Sequence, residues 1–316
     1  MQKIKLGTTD LMVSPINFGG NVFGWTLNEQ ESHRILDAFC EKGFNFIDTS
    51  DNYSHWVEGN VGGESESIIG NWHTQRKNRH DIVLATKCGG RTASRAINVT
   101  QKHIIASCDA SLKRLKTDYI DLYYTHYDNE STPVEETLYA YQKLIEAGKV
   151  RYIGASNISP TRLMNSMETA KREGLPHYQV LQPLYNLIER RLYEVDYFPL
   201  VKKYNLAVLP YFSLASGFLT GKYKRKTDLE SSKRSKFVEK YFTEKNFHII
   251  QEVEEIANQH HSTPATIALA WLMSQPYVAG PIVSATSLKQ LDAIALAINL
   301  KLSETELRLL NQISSF

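Results

Sequence analysis

Short runs of β-branched and aromatic residues alternate along this chain with longer segments whose apolar positions recur at three and four residues. The short runs lie at 16–20 (INFGG), 44–48 (FNFID), 82–87 (IVLATK), 119–126 (YIDLYYTH), 150–157 (VRYIGASN), 178–182 (YQVLQ), 206–211 (LAVLPY) and 279–285 (AGPIVSA). Several are apolar at consecutive positions, which buries both faces of a strand and points to a parallel sheet covered by helices. Asn28 with Glu31 three residues on predicts a capped helix start; Ile35, Leu36 and Phe39 form its stripe and Gly43 ends it. Ile104, Ile105, Cys108, Leu112 and Leu115 share the face of another helix. Thr132-Pro133 and Ser159-Pro160 each read as an N-cap followed by a first-turn proline, and Gly148 closes the helix before the fifth run.

Eight βα units in series predict an α/β protein, either a doubly wound sheet or a closed (β/α)8 TIM barrel. No GxGxxG follows the first strand, as a dinucleotide-binding open sheet would need. No linker, compositional shift or repeat divides the chain, so one barrel domain over residues 1–316 is expected. Three additions decorate it. Residues 3–6 and 11–13 flank a Gly-Thr-Thr-Asp turn and read as an N-terminal hairpin. Residues 212–245 form a long loop after strand seven. Ser303 and Glu306 open an extra C-terminal helix carrying Leu307, Leu310 and Ile313.

Composition narrows the function classes. Thirty-six basic and 34 acidic residues leave a net charge of +2, with no footprint for nucleic acid or a membrane surface. Cys40, Cys88 and Cys108 are widely spaced, which supports neither a disulfide framework nor a zinc ribbon. His260 and His261 are adjacent and cannot face one site as an i, i+4 pair would, so no metal is expected. The N-terminus lacks a signal-peptide pattern and no apolar run is long enough to span a bilayer. A cytoplasmic setting is the expectation.

In a parallel barrel the C-terminal strand ends face the active site. Asp48, Lys87, His126, Asn157, Gln182 and Tyr211 stand at or just after the ends of strands two to seven. A lysine ending an apolar strand needs a counter-charge, and Asp48 is its natural partner. Tyr53, in the loop DTSDNY, can fold back over the mouth. A Lys87 ammonium beside that phenol is expected to lower its pKa and make it a better proton donor. His126 can hydrogen-bond a substrate oxygen.

In order, spacing and strand position, Asp48, Tyr53, Lys87 and His126 resemble the catalytic tetrad of the aldo-keto reductase family. GGESESIIG (62–70), GKVRYIGASN (148–157), LQPLYN (181–186) and YFSLASGFLTGKY (211–223) resemble its further motifs, in register over nearly the whole chain. The likeness extends to the branch of bacterial NADP-dependent oxidoreductases and potassium-channel beta-subunit-like proteins. It implies hydride transfer from a nicotinamide cofactor to the carbonyl of an aldehyde, ketone or sugar-like substrate. Tyr53 protonates the alkoxide, Lys87 held by Asp48 tunes Tyr53, and His126 orients the carbonyl oxygen. Ser156, Asn157 and Gln182 hold the carboxamide, with Tyr211 stacked on the ring and Gly20 and Asn21 nearby. Ser213, Leu214, Ser216, Gly217, Leu219 and Lys222 approach the pyrophosphate.

The eighth-strand motif departs from the family. Where many members carry Pro-Gly-Ala-Arg-Ser and a later Asn, this chain has Val283-Ser284-Ala285-Thr286-Ser287, then Gln290 and Ile294. Ser284, Thr286, Ser287 and the start of their helix can still bind phosphate, with Lys289 as a contributor and Gln290 among the cofactor contacts. NADP(H) is the preferred cofactor on family habit, with NAD(H) open. Residues 222–245 hold nine Lys or Arg against four Asp or Glu, which suits either closure over an anionic cofactor or a solvated face. Trp25, Trp56 and Tyr127 either wall a substrate pocket or cover the barrel mouth; Asn21, His55 and Asp128 would suit a hydroxylated substrate. Two rival functions are a cofactor-binding regulatory subunit with slow turnover and an unrelated barrel hydrolase using Asp48 and His126. The hydrolase leaves Lys87 and Tyr53 without a role. Oligomeric state is not legible.

Overall fold

The computed structural model describes residues 2–230 and 232–316; Met1 and Ser231 lie outside the described residues. Strands β1 (Ile4–Lys5) and β2 (Met12–Val13) form the expected antiparallel hairpin, Ile4 opposite Val13. Eight strands follow: β3 (Asn17–Gly19), β4 (Phe46–Asp48), β5 (Val83–Cys88), β6 (Ile120–Thr125), β7 (Val150–Ser156), β8 (Val180–Gln182), β9 (Ala207–Val208) and β10 (Ile282–Val283). All pair in parallel, in the order β10-β3-β4-β5-β6-β7-β8-β9. Between the two ends, Val208 N donates to Tyr277 O, Ala279 N to Val208 O and Ile282 N to Pro210 O, each at 2.9 Å. These bonds close the ring, as the (β/α)8 reading requires.

Around the ring lie α1 (Glu29–Glu41), α2 (Glu64–Arg76), α3 (Gln101–Leu115), α4 (Val134–Glu146), α5 (Pro160–Glu173) and α6 (Phe198–Tyr204). After the seventh barrel strand come the short α7 (Ser235–Val238) and the neighbours α8 (Glu244–Gln259) and α9 (Pro264–Met273); α10 (Leu288–Leu296) and α11 (Glu304–Ile313) follow. Asn28 and Glu31 exchange both bonds of a capping box at 2.9 Å, and Ser303 with Glu306 does the same at α11. Ser159 caps α5 as predicted. The start of α4 differs by one residue: Pro133, not Thr132, occupies the cap, with φ −55° and ψ 141°. Proline has no N–H to lose at either position, so its ring tolerates the shift.

The two-residue strand period sorts side chains into two cores. Phe46, Val83, Ala85, Leu122, Tyr124, Val180, Ala207, Leu209 and Ile282 fill the barrel interior, which Leu6, Leu11 and Val13 of the hairpin plug from below. Ile47, Leu84, Cys88, Tyr123, Ile153, Leu181 and Val208 point outward and pack under the helices. Gly154 stands inside because Tyr124 needs its space: a Cβ there would lie 2.5 Å from Tyr124 Cε1. Continuing the inward parity by one step brings Asp48 after Phe46, Lys87 after Ala85, His126 after Tyr124, Gln182 after Val180 and Tyr211 after Leu209. The strands therefore deliver these five to one mouth without any special backbone feature. Cys88 falls on the opposite face, as expected, where burial pushes its thiol up to about 12.

Candidate active site

Lys87 lies at the centre of the mouth, with its side chain wholly buried. Its ammonium donates to Asp48 Oδ1, to the Thr49 carbonyl at 2.8 Å and to the Tyr53 hydroxyl at 2.8 Å. Three N–H groups meet three acceptors, so the cation is fully satisfied out of water. The other Asp48 oxygen, Oδ2, accepts from Gln182 Nε2 at 3.0 Å. Gln182 therefore buttresses Asp48, a contact its strand position did not reveal. Because Tyr53 oxygen accepts from Lys87, the phenol hydrogen is left to point away from the lysine.

Burial pushes Asp48 up and Lys87 down, and the attraction between the two opposes both shifts. Burial, then the Asp48 carboxylate, holds the Tyr53 phenol well above its ordinary value. The expectation of a lowered Tyr53 pKa is thus reversed in the resting site: desolvation of the phenolate and repulsion from Asp48 outweigh the ammonium. Tyr53 is protonated at neutral pH and holds a proton it can give. His126 is buried and neutral, its pKa held well below the ordinary range by burial, then by the cations of Lys87 and Arg95. Its ring lies 5.9 Å from that of Tyr53.

The residues read as nicotinamide contacts form a hydrogen-bond chain. Ser156 Oγ donates to Gln182 O at 2.8 Å, Asn157 Nδ2 donates to His126 O at 2.9 Å, and Tyr211 hydroxyl donates to Asn157 Oδ1 at 2.9 Å. Asn157 holds φ at 44°, a left-handed conformation that asparagine tolerates better than most residues. Aromatic rings wall the other side. Trp25 and Trp56 pack edge to face at 5.5 Å, and Trp56 reaches to 6.3 Å from Tyr53. Tyr127 packs against His126 with ring centroids 4.7 Å apart and the planes tilted by 39°. Asp128, read as suited to a hydroxylated substrate, pairs with Arg162 at 2.8 Å. Asn21 is held by Ser284 Oγ, 2.7 Å from Asn21 Oδ1.

The two segments expected to meet phosphate are neighbours, since Ser213 Oγ donates to the Ile282 carbonyl at 2.9 Å. Leu219 is fully buried in the outer core, so its side chain faces away from any ligand and only its backbone is available. Leu214 is half-buried. Thr286 N and Oγ1 both donate to Gln290 Oε1, at 2.8 and 3.1 Å. The basic stretch divides: Lys224 pairs with Glu254, and Lys240 with Glu189. Arg234 instead lays its guanidinium 5.6 Å from the Trp25 ring and has no ion pair among the described residues. It carries the seventh-strand loop across to the first, and nothing in the sequence distinguished it from the eight other cations of that stretch.

Four residues packed around the site were not singled out in the sequence, Thr49, Ser50, Asp51 and Asn52, although all lie in the DTSDNY loop. Asp51 is buried against Arg95 at 2.9 Å, and Arg95 in turn lines a cleft of about 760 Å³ between the loops carrying Arg91–Ile97 and Asp128–Glu130. Burial pushes the Asp51 carboxyl up to about 7, against the pull of Arg95. A carboxyl raised on folding contributes stability below its unfolded pKa of about 4, and that contribution is lost as pH rises through 7. Urea unfolding at pH 5 and pH 8 should therefore show a steeper loss in wild type than in Asp51→Asn, by roughly 2 kcal/mol. Equal losses would place the titration elsewhere.

Among the described residues there is no group of three metal-binding side chains, and no helix is long and apolar enough to cross a membrane. A family model described as the aldo/keto reductase family matches residues 15–315. The chain is 32% identical to a probable aldo-keto reductase 1 of Glycine max, covering 98% of this chain and 87% of that one. It is 32% identical to a probable voltage-gated potassium channel subunit beta of Arabidopsis thaliana (97% and 96%) and 32% identical to an aldo-keto reductase of Schizosaccharomyces pombe named for NADP(+) (89% and 82%).

Proposed function

The chain belongs to the aldo/keto reductase family, and on that premise we propose that it reduces the carbonyl group of a small aldehyde, ketone or sugar-like substrate with NADPH. The observation that carries this reading is the Lys87 ammonium, which binds Asp48 on one side and the Tyr53 hydroxyl on the other at the barrel mouth. When bound, a reduced nicotinamide supplies the hydride. Tyr53 donates its proton to the oxygen of the former carbonyl. Lys87, 2.8 Å from the phenol oxygen, stabilises the phenolate left behind, and Asp48 with Gln182 keeps that ammonium in place. Trp25, Trp56 and Tyr127 exclude water and shape the entrance.

The chain has a cradle that suits such a cofactor. Ala215, Ser216 and Gly217 hold φ at 48°, 57° and 98° in succession, and Ser216 Oγ is buried with no hydrogen-bond partner among the described residues. Ala215 N and Gly217 N are spent within the turn, on Phe212 O and Leu214 O, so the unpartnered Ser216 hydroxyl is what this strained segment offers a ligand, and such strain is concentrated at ligand sites. Ser213, Leu214, Ser216, Gly217 and Lys222, with the backbone of Leu219, would hold the pyrophosphate. Ser284, Thr286 and Gln290 would take the adenosine end, and Gly20, Asn21, Ser156, Asn157, Gln182 and Tyr211 the nicotinamide end. NADP(H) is favoured by the S. pombe relative's name. Thr286→Arg should raise the preference for NADPH over NADH about tenfold, one charge-assisted bond to phosphate being worth about 1.4 kcal/mol. An unchanged ratio of the two dissociation constants would remove this loop from the 2′-phosphate site.

The similarity to a channel beta subunit favours a second reading, a cofactor-binding regulatory subunit with slow turnover. NADPH oxidation with a panel of aldehydes, ketones and open-chain sugars separates the two. Substrate-dependent turnover supports the reductase; tight NADPH binding with no substrate raising the rate favours the subunit.

A further inference from the structure

The barrel interior just below Asp48 is polar where the strands would otherwise bury only apolar groups. Asn17 stands on β3 in register with Phe46 of β4 and Ile282 of β10. Both of those point inward, so the Asn17 amide points inward too. Its side chain is fully buried, and neither Oδ1 nor Nδ2 has a hydrogen-bond partner among the described residues. A primary amide can make up to about four hydrogen bonds, and burying one with none of them made is costly. The Tyr124 hydroxyl is also fully buried on the inner face; it lies beside the Gln182 amide but makes no well-aligned hydrogen bond.

The strand registers place these two groups in adjacent layers. In such a barrel the side chains of one layer come from alternate strands, because the strands are sheared past one another by one residue per strand. Following the registers with that offset joins Asn17, Ala85, Gly154 and Leu209 in one layer, and Asp48, Tyr124 and Gln182 in the layer above. The lower layer is poor in side-chain atoms: Ala85 offers a methyl and Gly154 nothing, with the Tyr124 ring leaning in over the glycine. Phe46, Leu122, Val180 and Ile282 close it from below. We propose that this layer holds an internal water, bridging the Asn17 amide and the Tyr124 hydroxyl, and that Asn17 is thereby a positioning residue for Asp48. A buried water needs about two to four polar partners; Asn17 supplies a donor and an acceptor, and Tyr124 either. The charged and titratable groups that face Asp48 are the Lys87 ammonium of β5, the Tyr53 phenol and the Tyr124 phenol of β6. Only the ammonium is a cation, and burial works against it. The water sets a further dipole beneath the carboxylate and helps to keep it ionised. The effect on turnover rests on the reductase reading; the water site does not.

Crystal structures of the full chain at a resolution that shows ordered solvent, for wild type, Asn17→Leu and Asn17→Ser, test the site. Wild type is expected to show a water within hydrogen-bond distance of the Asn17 amide and Tyr124 Oη, absent in Asn17→Leu and kept in Asn17→Ser. An Asn17 amide that touches no water in wild type overturns the proposal. The pH dependence of kcat with an activated aldehyde tests the positioning role. Without the water the Asp48 carboxyl holds its proton to higher pH. The acid limb should therefore move up by about one pH unit in Asn17→Leu, a tenfold loss at a fixed pH on that limb, and return to the wild-type position in Asn17→Ser. Lost packing alone would lower kcat alike at every pH, so an unmoved limb in Asn17→Leu overturns the positioning role. Where Asn17→Leu does not fold, Tyr124→Phe removes the other partner and is expected to expel the water and move the limb in the same sense. A protein that reduces nothing yet holds the water would count against the reductase and leave the water site standing.

Discussion

Tyr53→Phe is expected to lower kcat/KM for carbonyl reduction about a thousandfold, in the middle of the range for losing a positioned general acid, while the dissociation constant for NADPH changes less than twofold. The separation of the two effects follows from geometry. The phenol oxygen lies 2.8 Å from the Lys87 ammonium and beside the Asp48 carboxylate, and removing it takes away one polar contact from each and no packing surface. Lys87 keeps Asp48 and the Thr49 carbonyl, so the buried ion pair survives and the cofactor cradle is untouched. Isothermal titration with NADPH and steady-state rates with one activated aldehyde measure both quantities. Retention of most of the activity would remove Tyr53 as proton donor and turn attention to a water or to His126.

Lys87→Met should damage stability as well as rate. Asp48 is fully buried, and without the ammonium only neutral groups, the Gln182 amide and the Tyr53 hydroxyl, face its carboxylate. Breaking a buried pair by removing one partner costs about 3–5 kcal/mol, because the remaining charge is uncompensated. The cost depends on pH. With Lys87 gone, burial raises the folded-state pKa of Asp48 further above its unfolded value, so the folded state binds the proton more tightly. The deficit is therefore small near pH 4 and grows as pH rises. Asp48→Asn added to Lys87→Met removes both charges and should recover most of the stability without restoring turnover, which a double-mutant cycle by urea unfolding would reveal. A Lys87→Met variant as stable as wild type at pH 8 would mean that water reaches the pair.

The eight strands were legible because each is a β-branched or aromatic run bounded by turn or cap residues, and their parity alone assigns Asp48, Lys87, His126, Gln182 and Tyr211 to one mouth. The caps at Asn28, Ser159 and Ser303 were legible for the same local reason: a side-chain oxygen bonds an amide two or three residues away. Thr132 was misread by one residue because proline fits on either side of a helix boundary. The helices α8 and α9 and the π-helical turn Leu192–Tyr197 before α6 were not resolved in the sequence. α9 is buried nearly all round, so it has no polar face to mark its period.

Strand period and chemical type, both local, thus pointed to the barrel and to the direction in which Asp48, Lys87 and His126 face, while the tetrad as a set, with the loop residue Tyr53, was carried by the family resemblance. The tertiary structure decided what each member does with its hydrogen bonds. That Gln182 serves Asp48, that Asp128 belongs to Arg162, that Leu219 faces the core and that Ser50 stands against His126 depend on distances of about 3 Å between residues as many as 134 positions apart. The rise in the Tyr53 pKa has the same origin, since desolvation is set by everything packed around the phenol and by no neighbour in sequence. Hydrogen bonds and burial act over a few ångströms in space, and only the closed ring brings the partners within that range.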